Sequence, residues 1–177
     1  MSDKDEEDRM YEESATDVRR TLNDGVLRRP IGQLKLGAPT SAPGGSTVRQ
    51  AVDVMAGAGN GCCLILRADG RIAGILTERD VLMKVLGKGL DLAKTKVDAV
   101  MTPDPEQLHV GDPIGFAMNK MAIGGYRHIP IVDAERKPVG VLSIRRIIRY
   151  LADFFPQDVI NLPHSPDASD GRDRDGA

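Results

Sequence analysis

Apolar and polar positions along this chain change period in a fixed order, and the order occurs twice. From residue 46 a helical spacing runs through Val48, Ala51, Val52 and Met55. Two compact apolar runs follow, CCLIL at 62–66 and RIAGILT at 71–77, and then a second helical spacing. The stretch from 112 repeats this: Ile114, Ala117, Met118 and Met121 share one helical face, Gly124-Gly125 stops it, and HIPIV and PVGVLS follow. Spacing of three and four predicts a helix, and short apolar runs between turn residues predict strands. Asp69-Gly70 predicts a turn between the first strand pair, and Ala134–Lys137 a looser one between the second. Short extended stretches at 40–43 and 106–109 open the units. Ser46 and Asp112, the latter before Pro113, sit where N-caps are expected. Thr77 and Ser143 are placed to cap the second helices. Each unit is therefore β-α-β-β-α, in an α/β (α+β) architecture of two layers.

The two units superimpose at an offset of 66 residues without a gap, 46–82 on 112–148. Identical pairs include Ala51/Ala117, Met55/Met121, Gly59/Gly125, Ile65/Ile131, Gly74/Gly140, Leu76/Leu142 and Arg79/Arg145. The offset extends upstream, where Ile31 meets Val97 and Leu34 meets Val100. A repeat of this length is a supersecondary unit that stacks on its twin to bury a shared core. The organisation predicted is an acidic, largely disordered arm at 1–25, unit one at 26–92, unit two at 93–156 and a disordered tail at 157–177.

Charge sharpens the picture. The chain of 177 residues carries net −2, but 1–25 holds net −5 and 156–177 net −3, leaving 26–155 at net +6. That basic core lacks any groove-reading motif, so a nucleic-acid role is not expected. No apolar run reaches the ~20 residues of a membrane span, and the acidic N-terminus has no apolar signal core. The adjacent Cys62 and Cys63 read as small buried residues in a reducing cytoplasm. His109, His128 and His164 lack metal-ligand spacing, no nucleophile has a base beside it, and Gly87-Lys88-Gly89 is not a phosphate-binding loop. The expectation is a binding module with no catalytic residues and no resident cofactor or metal, rather than an enzyme.

Three motifs carry a family resemblance over about residues 31–155: Val97, Val100, Met101, Thr102 and Pro103; YRHIPIVD at 126–133; and GILTERD at 74–80 with its partner GVLSIRR at 140–146. Together, duplicated at one offset, they resemble a tandem pair of CBS domains, a Bateman module. The resemblance implies two units related by a pseudo-twofold axis, adenosine nucleotides (AMP, ADP or ATP, or else adenosylmethionine or NAD) in the clefts between them, and modules that dimerise. It implies a sensor that signals to a protein partner by changing conformation, and a ligand-independent dimerising adaptor is the alternative.

The residues add their own logic. Thr77 and Asp80, with Arg79 between them, lie at a helix start, which attracts anions and acceptors. Their spacing fits a capping box; the resemblance assigns them ribose and phosphate. In unit two Ser143 keeps the hydroxyl but Arg146 replaces the acid. An arginine has donors and no acceptor, so it cannot receive a ribose hydroxyl. Arg145, Arg146 and Arg149, with Arg127 and His128 on the preceding strand, form either a phosphate-binding cluster or a solvated basic face. His128 is by itself a pocket wall, a phosphate donor or a core side chain. His109 lies where the resemblance places backbone contacts to adenine. A homodimer is expected because Val52, Met55, Ile114, Met118 and Met121 are more apolar helix positions than the four helices of one chain are expected to cover.

Overall fold

The computed structural model describes residues 25–154. The acidic arm before Gly25, the tail from 157 and His164 lie outside the described residues. Residues 25–28 are helical and carry the buried Val26. Unit one then runs β1 (Ser41–Pro43), α1 (Val48–Ala58), β2 (Cys62–Leu66), β3 (Ile72–Thr77) and α2 (Glu78–Asp80). The short α2 continues into a π-helical turn, Val81–Val85, and a 3-10 turn, Leu86–Lys88. The strand β4 (Thr102–Pro103) leads to unit two: β5 (Leu108–His109), α3 (Ile114–Gly124), β6 (His128–Val132), β7 (Pro138–Ser143) and α4 (Ile144–Phe154).

The offset of 66 survives as geometry. β1 pairs parallel with β2 through Ala42↔Ile65, and β5 with β6 through Leu108↔Ile131. β2 pairs antiparallel with β3 through Cys62↔Thr77, and β6 with β7 through His128↔Ser143. Even the irregularity recurs, between Ile65 and Leu66 and between Ile131 and Val132. The sheets are β1-β2-β3-β4 and β5-β6-β7. They meet through Cys62, Leu64, Ile72 and Ile75 of one and Val132 of the other. Such burial is the main favourable term holding two units together.

The halves are laced by exchange of their leading segments. The core of unit two contains Ile31 and Leu34 beside Leu108, Ile114, Ile129 and Leu142. The core of unit one contains Val97 and Val100 beside Val48, Ala51, Ile65 and Leu76. Hydrogen bonds follow the same rule. The Ile31 N–H donates to the Asp112 carbonyl and the Val97 N–H to the Ser46 carbonyl, each at 2.9 Å. The Ile114 N–H donates to Arg29 O and the Val48 N–H to Thr95 O, again each at 2.9 Å. Each member of these pairs is the other shifted by 66, so the relation between units is a pseudo-twofold one. A spatial unit is thus not a continuous stretch: residues 26–34 belong with the later half and 97–103 with the earlier.

Both first helices begin one residue later than the pattern predicts. Thr47, not Ser46, caps α1, in a capping box with Gln50. Pro113 precedes α3 and has no side-chain acceptor, so the orphan Ile114 amide is met by Arg29 instead. Asp112 turns back and accepts the His109 N–H at 2.8 Å. At the other ends, Gly59 and Gly125 adopt φ 62° and 65°, the left-handed cap that explains their identity in the repeat. The turn after β2 has Gly70 at φ 82°, and its counterpart after β6 places Arg136 at φ 63°.

The apolar positions that suggested a dimer are covered within the chain. Met55, Ile114 and Met121 are buried, while Val52 and Met118 pack half-buried against the cores. The large apolar side chains left exposed are others, among them Leu82, Met83 and Leu86 after α2 and Ile148 on α4. Among the described residues no helix is long and apolar enough to cross a membrane.

Candidate functional site

A cleft is built where β7 becomes α4. Ser143 ends the strand, and its Oγ accepts the Arg146 N–H at 3.3 Å. The Ile144 amide is taken by the Arg127 carbonyl at 3.0 Å, which ties the helix start to the segment entering β6. His128 stands opposite Ser143 in the register. The first turns of α4 then project Arg145, Arg146 and Arg149 toward the same space. All six of these polar residues line one cavity of about 860 Å³.

The far wall comes from other parts of the chain. Lys35, Gly37 and Thr40 approach along the segment before β1, and Asn60, Cys62 and Glu78 belong to unit one. The Asn60 amide donates to Thr40 Oγ1, joining the end of α1 to β1. Arg146 reaches across: a Cβ on Gly37 would lie 3.6 Å from its guanidinium. Among the described residues, five cationic side chains therefore face one carboxylate, Glu78. Among the described residues, Arg127, Arg145, Arg146 and Arg149 have no ion-pair partner within 4.0 Å.

Burial disfavours the charged forms of the thiols and the imidazole at and behind this cleft. Burial, then the neighbouring Cys63 and Glu78, push the Cys62 thiol up to about 11, and burial alone does the same for Cys63. A protonated thiol is a poor nucleophile. Burial holds His128 below its ordinary value, and Arg127 and Arg145 add to this while Glu78 opposes it. His128 is therefore neutral at pH 7. Its unfolded form takes a proton more readily than its folded form, so acidification below about pH 6.5 favours unfolding. We expect thermal stability to fall from pH 7 to pH 5 by more in the wild type than in His128→Gln. Equal losses in melts at the two pH values would show that His128 is not responsible.

The other helix start forms the capping box that the spacing suggested. Asp80 Oδ2 accepts the Thr77 N–H at 2.9 Å and the Thr77 hydroxyl at 2.6 Å, and Thr77 Oγ1 accepts the Asp80 N–H at 3.2 Å. Asp80 Oδ1 takes Lys84 Nζ at 2.8 Å, with the carboxylate side chain only 14% exposed. Burial works against ionisation of Asp80, but the hydrogen bonds from Lys84 and Thr77 outweigh it and hold its pKa below the ordinary value. Thr77 and Asp80 do not line the Ser143 cavity. Arg79 is exposed beside them, and His109 is exposed on β5 with its amide occupied by Asp112, so neither joins that cavity. Thr40, Asn60 and Glu78 were not singled out from sequence. The one signal was Glu78 itself, a carboxylate at a helix start where the repeat has Ile144.

Among the described residues no group of three or more His, Cys, Asp or Glu could hold a metal ion. The family model for the CBS domain matches residues 35–87 and 97–153. A CBS domain-containing protein of Arabidopsis thaliana is 34% identical over 82 residues, 46% of this chain and 15% of its own length. The chain thus spans a small part of that relative. A CBS domain protein from Pyrobaculum aerophilum, solved in complex with AMP, is 27% identical, with a TM-score of 0.63 over 70% of this chain and 98% of the other. A signal-transduction protein with CBS domains from Burkholderia ambifaria, described as putative, is 25% identical, with a TM-score of 0.60 over 73% and 88%.

Proposed function

The chain belongs to the CBS-domain family, with two such domains in tandem, and from that premise we propose that it is a regulatory module which binds an adenosine-containing nucleotide in the clefts between its units. One observation carries the reading most: side chains from both units and from the segment before β1 converge on a single cationic cleft beside the start of α4. A ligand there touches both units at once. It can therefore favour one relative arrangement of them over another, by as much as its affinities for the two differ. A protein partner reads that arrangement. The AMP complex of the Pyrobaculum relative supports adenosine as the ligand's core.

At the other helix start, outside the Ser143 cleft, we assign ribose recognition to Asp80, the acid at the repeat position that Arg146 occupies in unit two. Lys84 occupies its outer oxygen and is itself partly exposed, so it is displaced when a ribose binds. We assign a homodimer to the exposed Leu82, Met83, Leu86 and Ile148. The cytoplasm is the compartment we assign, where the two free thiols stay reduced.

Thermal shift with AMP, ADP, ATP, adenosylmethionine and NAD tests the reading. A ligand at 100 times its dissociation constant stabilises by about 2.7 kcal/mol. We expect at least one adenine nucleotide to do so. Asp80→Ala should weaken AMP by about 10–100-fold, the cost of hydrogen bonds to a charged group. The engaged state of Asp80 favours the rival reading, an adaptor that dimerises without a ligand. That reading wins if no adenine nucleotide shifts the melt.

A further inference from the structure

We infer that the Ser143 cleft is a polyanion site, selecting a chain of three or more phosphates by charge and taking no ribose contact from α4. The inference rests on the preceding reading in taking this cleft as a ligand site. It goes beyond that reading in saying what is recognised there.

The shared register makes the comparison between units a structural one, since Cys62↔Thr77 and His128↔Ser143 are equivalent pairs. At equivalent positions unit one has Gly61, Cys62, Asp80 and Met83, and unit two has Arg127, His128, Arg146 and Arg149. Only Arg79 and Arg145 are alike in charge. The second unit has thus gained three guanidinium groups and an imidazole and lost a carboxylate, and every one of these changes lies on the cavity wall. Lys35 adds a fifth cation from the crossing segment.

The chemistry of these groups restricts the ligand. A ribose diol needs an acceptor, and guanidinium offers only donors. Phosphate oxygens are acceptors, and they match the guanidinium fork in pairs. Four arginines without carboxylate partners among the described residues repel one another, and a chain of phosphates relieves that repulsion where a single phosphate reaches only part of it. The Ser143 hydroxyl adds a neutral donor on the same side. At about 860 Å³ the cavity lies within the size of ordinary small-molecule sites, about 300–1,000 Å³. It has room for more than one phosphate.

Calorimetry on the full chain with sodium tripolyphosphate, ATP, AMP and adenosine, at two salt concentrations, decides the matter. We expect tripolyphosphate to bind within about tenfold of ATP, AMP to bind at least about tenfold more weakly than ATP, and the ATP advantage to shrink as salt screens the charges. Arg146→Asp should weaken tripolyphosphate by about 10–100-fold and bring ATP and AMP together. Arg146→Gln keeps the size of the side chain and should show a smaller loss in the same direction. If ATP binds but tripolyphosphate does not, and neither variant changes ATP affinity, the polyanion site is refuted while the nucleotide-binding module stands. If tripolyphosphate binds and neither AMP nor adenosine binds at either salt concentration, the polyanion site stands and the adenosine reading falls. If nothing binds, both fall.

Discussion

Ile31→Ala is expected to cost about 2–5 kcal/mol of stability, the range for truncating a fully buried aliphatic side chain. Ile31 is 0% exposed, although it precedes the first strand by ten residues. It sits in the core of the second unit, among Leu108, Ile114, Ile129 and Leu142. Its amide is also tied there, to the Asp112 carbonyl. The cavity left by the missing atoms would be walled by β6 and β7, which are pinned by their own pairing and collapse only partly. Denaturant unfolding gives the size of the loss, and amide exchange gives its place. Protection should fall in β6, β7 and α4 more than in β2 and β3. A loss below about 1 kcal/mol, or one centred on β2 and β3, would mean that the leading segment does not hold the second unit together.

The repeat made most of the fold legible from the chain alone. A gapless offset of 66 requires the same register in both halves, and the paired bulges at Ile65 and Ile131 show how closely that is kept. The exchange of leading segments was not legible. Ile31 and Val97 are equivalent apolar positions, and either would fill either core, so pattern alone does not say which core each enters. The covering of Met55, Ile114 and Met121 was hidden for a related reason. A helix face carries the same pattern whether its own sheet or a second molecule buries it. The cationic half of the cleft was readable because His128 pairs with Ser143 and the Arg127 carbonyl takes the Ile144 amide at one end of the β6–β7 pair, and Arg145, Arg146 and Arg149 follow on one helix. Its other half was not, because Thr40, Asn60 and Glu78 reach the cleft only through packing between units.

Gly140→Ala should be the second most damaging change, at about 1–3 kcal/mol, because it overpacks a site with no room. Gly140 lies within β7, opposite Ile131. A Cβ there would come 2.9 Å from Leu36 Cβ and 3.1 Å from the Gly37 carbonyl oxygen. Gly74 is its counterpart, where a Cβ would meet Met101 Cγ at 2.8 Å and the Thr102 carbonyl oxygen at 2.9 Å. The two glycines are alike because both strands are crossed closely by a segment passing between units. Replacing glycine inside a strand ordinarily gains about 0.5–1 kcal/mol of backbone entropy, so a net loss reports the clash directly. The two sites differ in what lies behind the segment. Gly37 lines the Ser143 cleft beside Arg146, whereas Met101 and Thr102 do not line it. Gly140→Ala should therefore displace Leu36 and Gly37, and weaken tripolyphosphate or ATP at that cleft as well as stability. Gly74→Ala should lower stability comparably and leave affinity at the cleft unchanged. Denaturant unfolding and calorimetry on both variants separate the two effects. Should Gly140→Ala instead be stabilising, the 36–37 segment yields without cost, and the crossing does not fix the wall of the cleft.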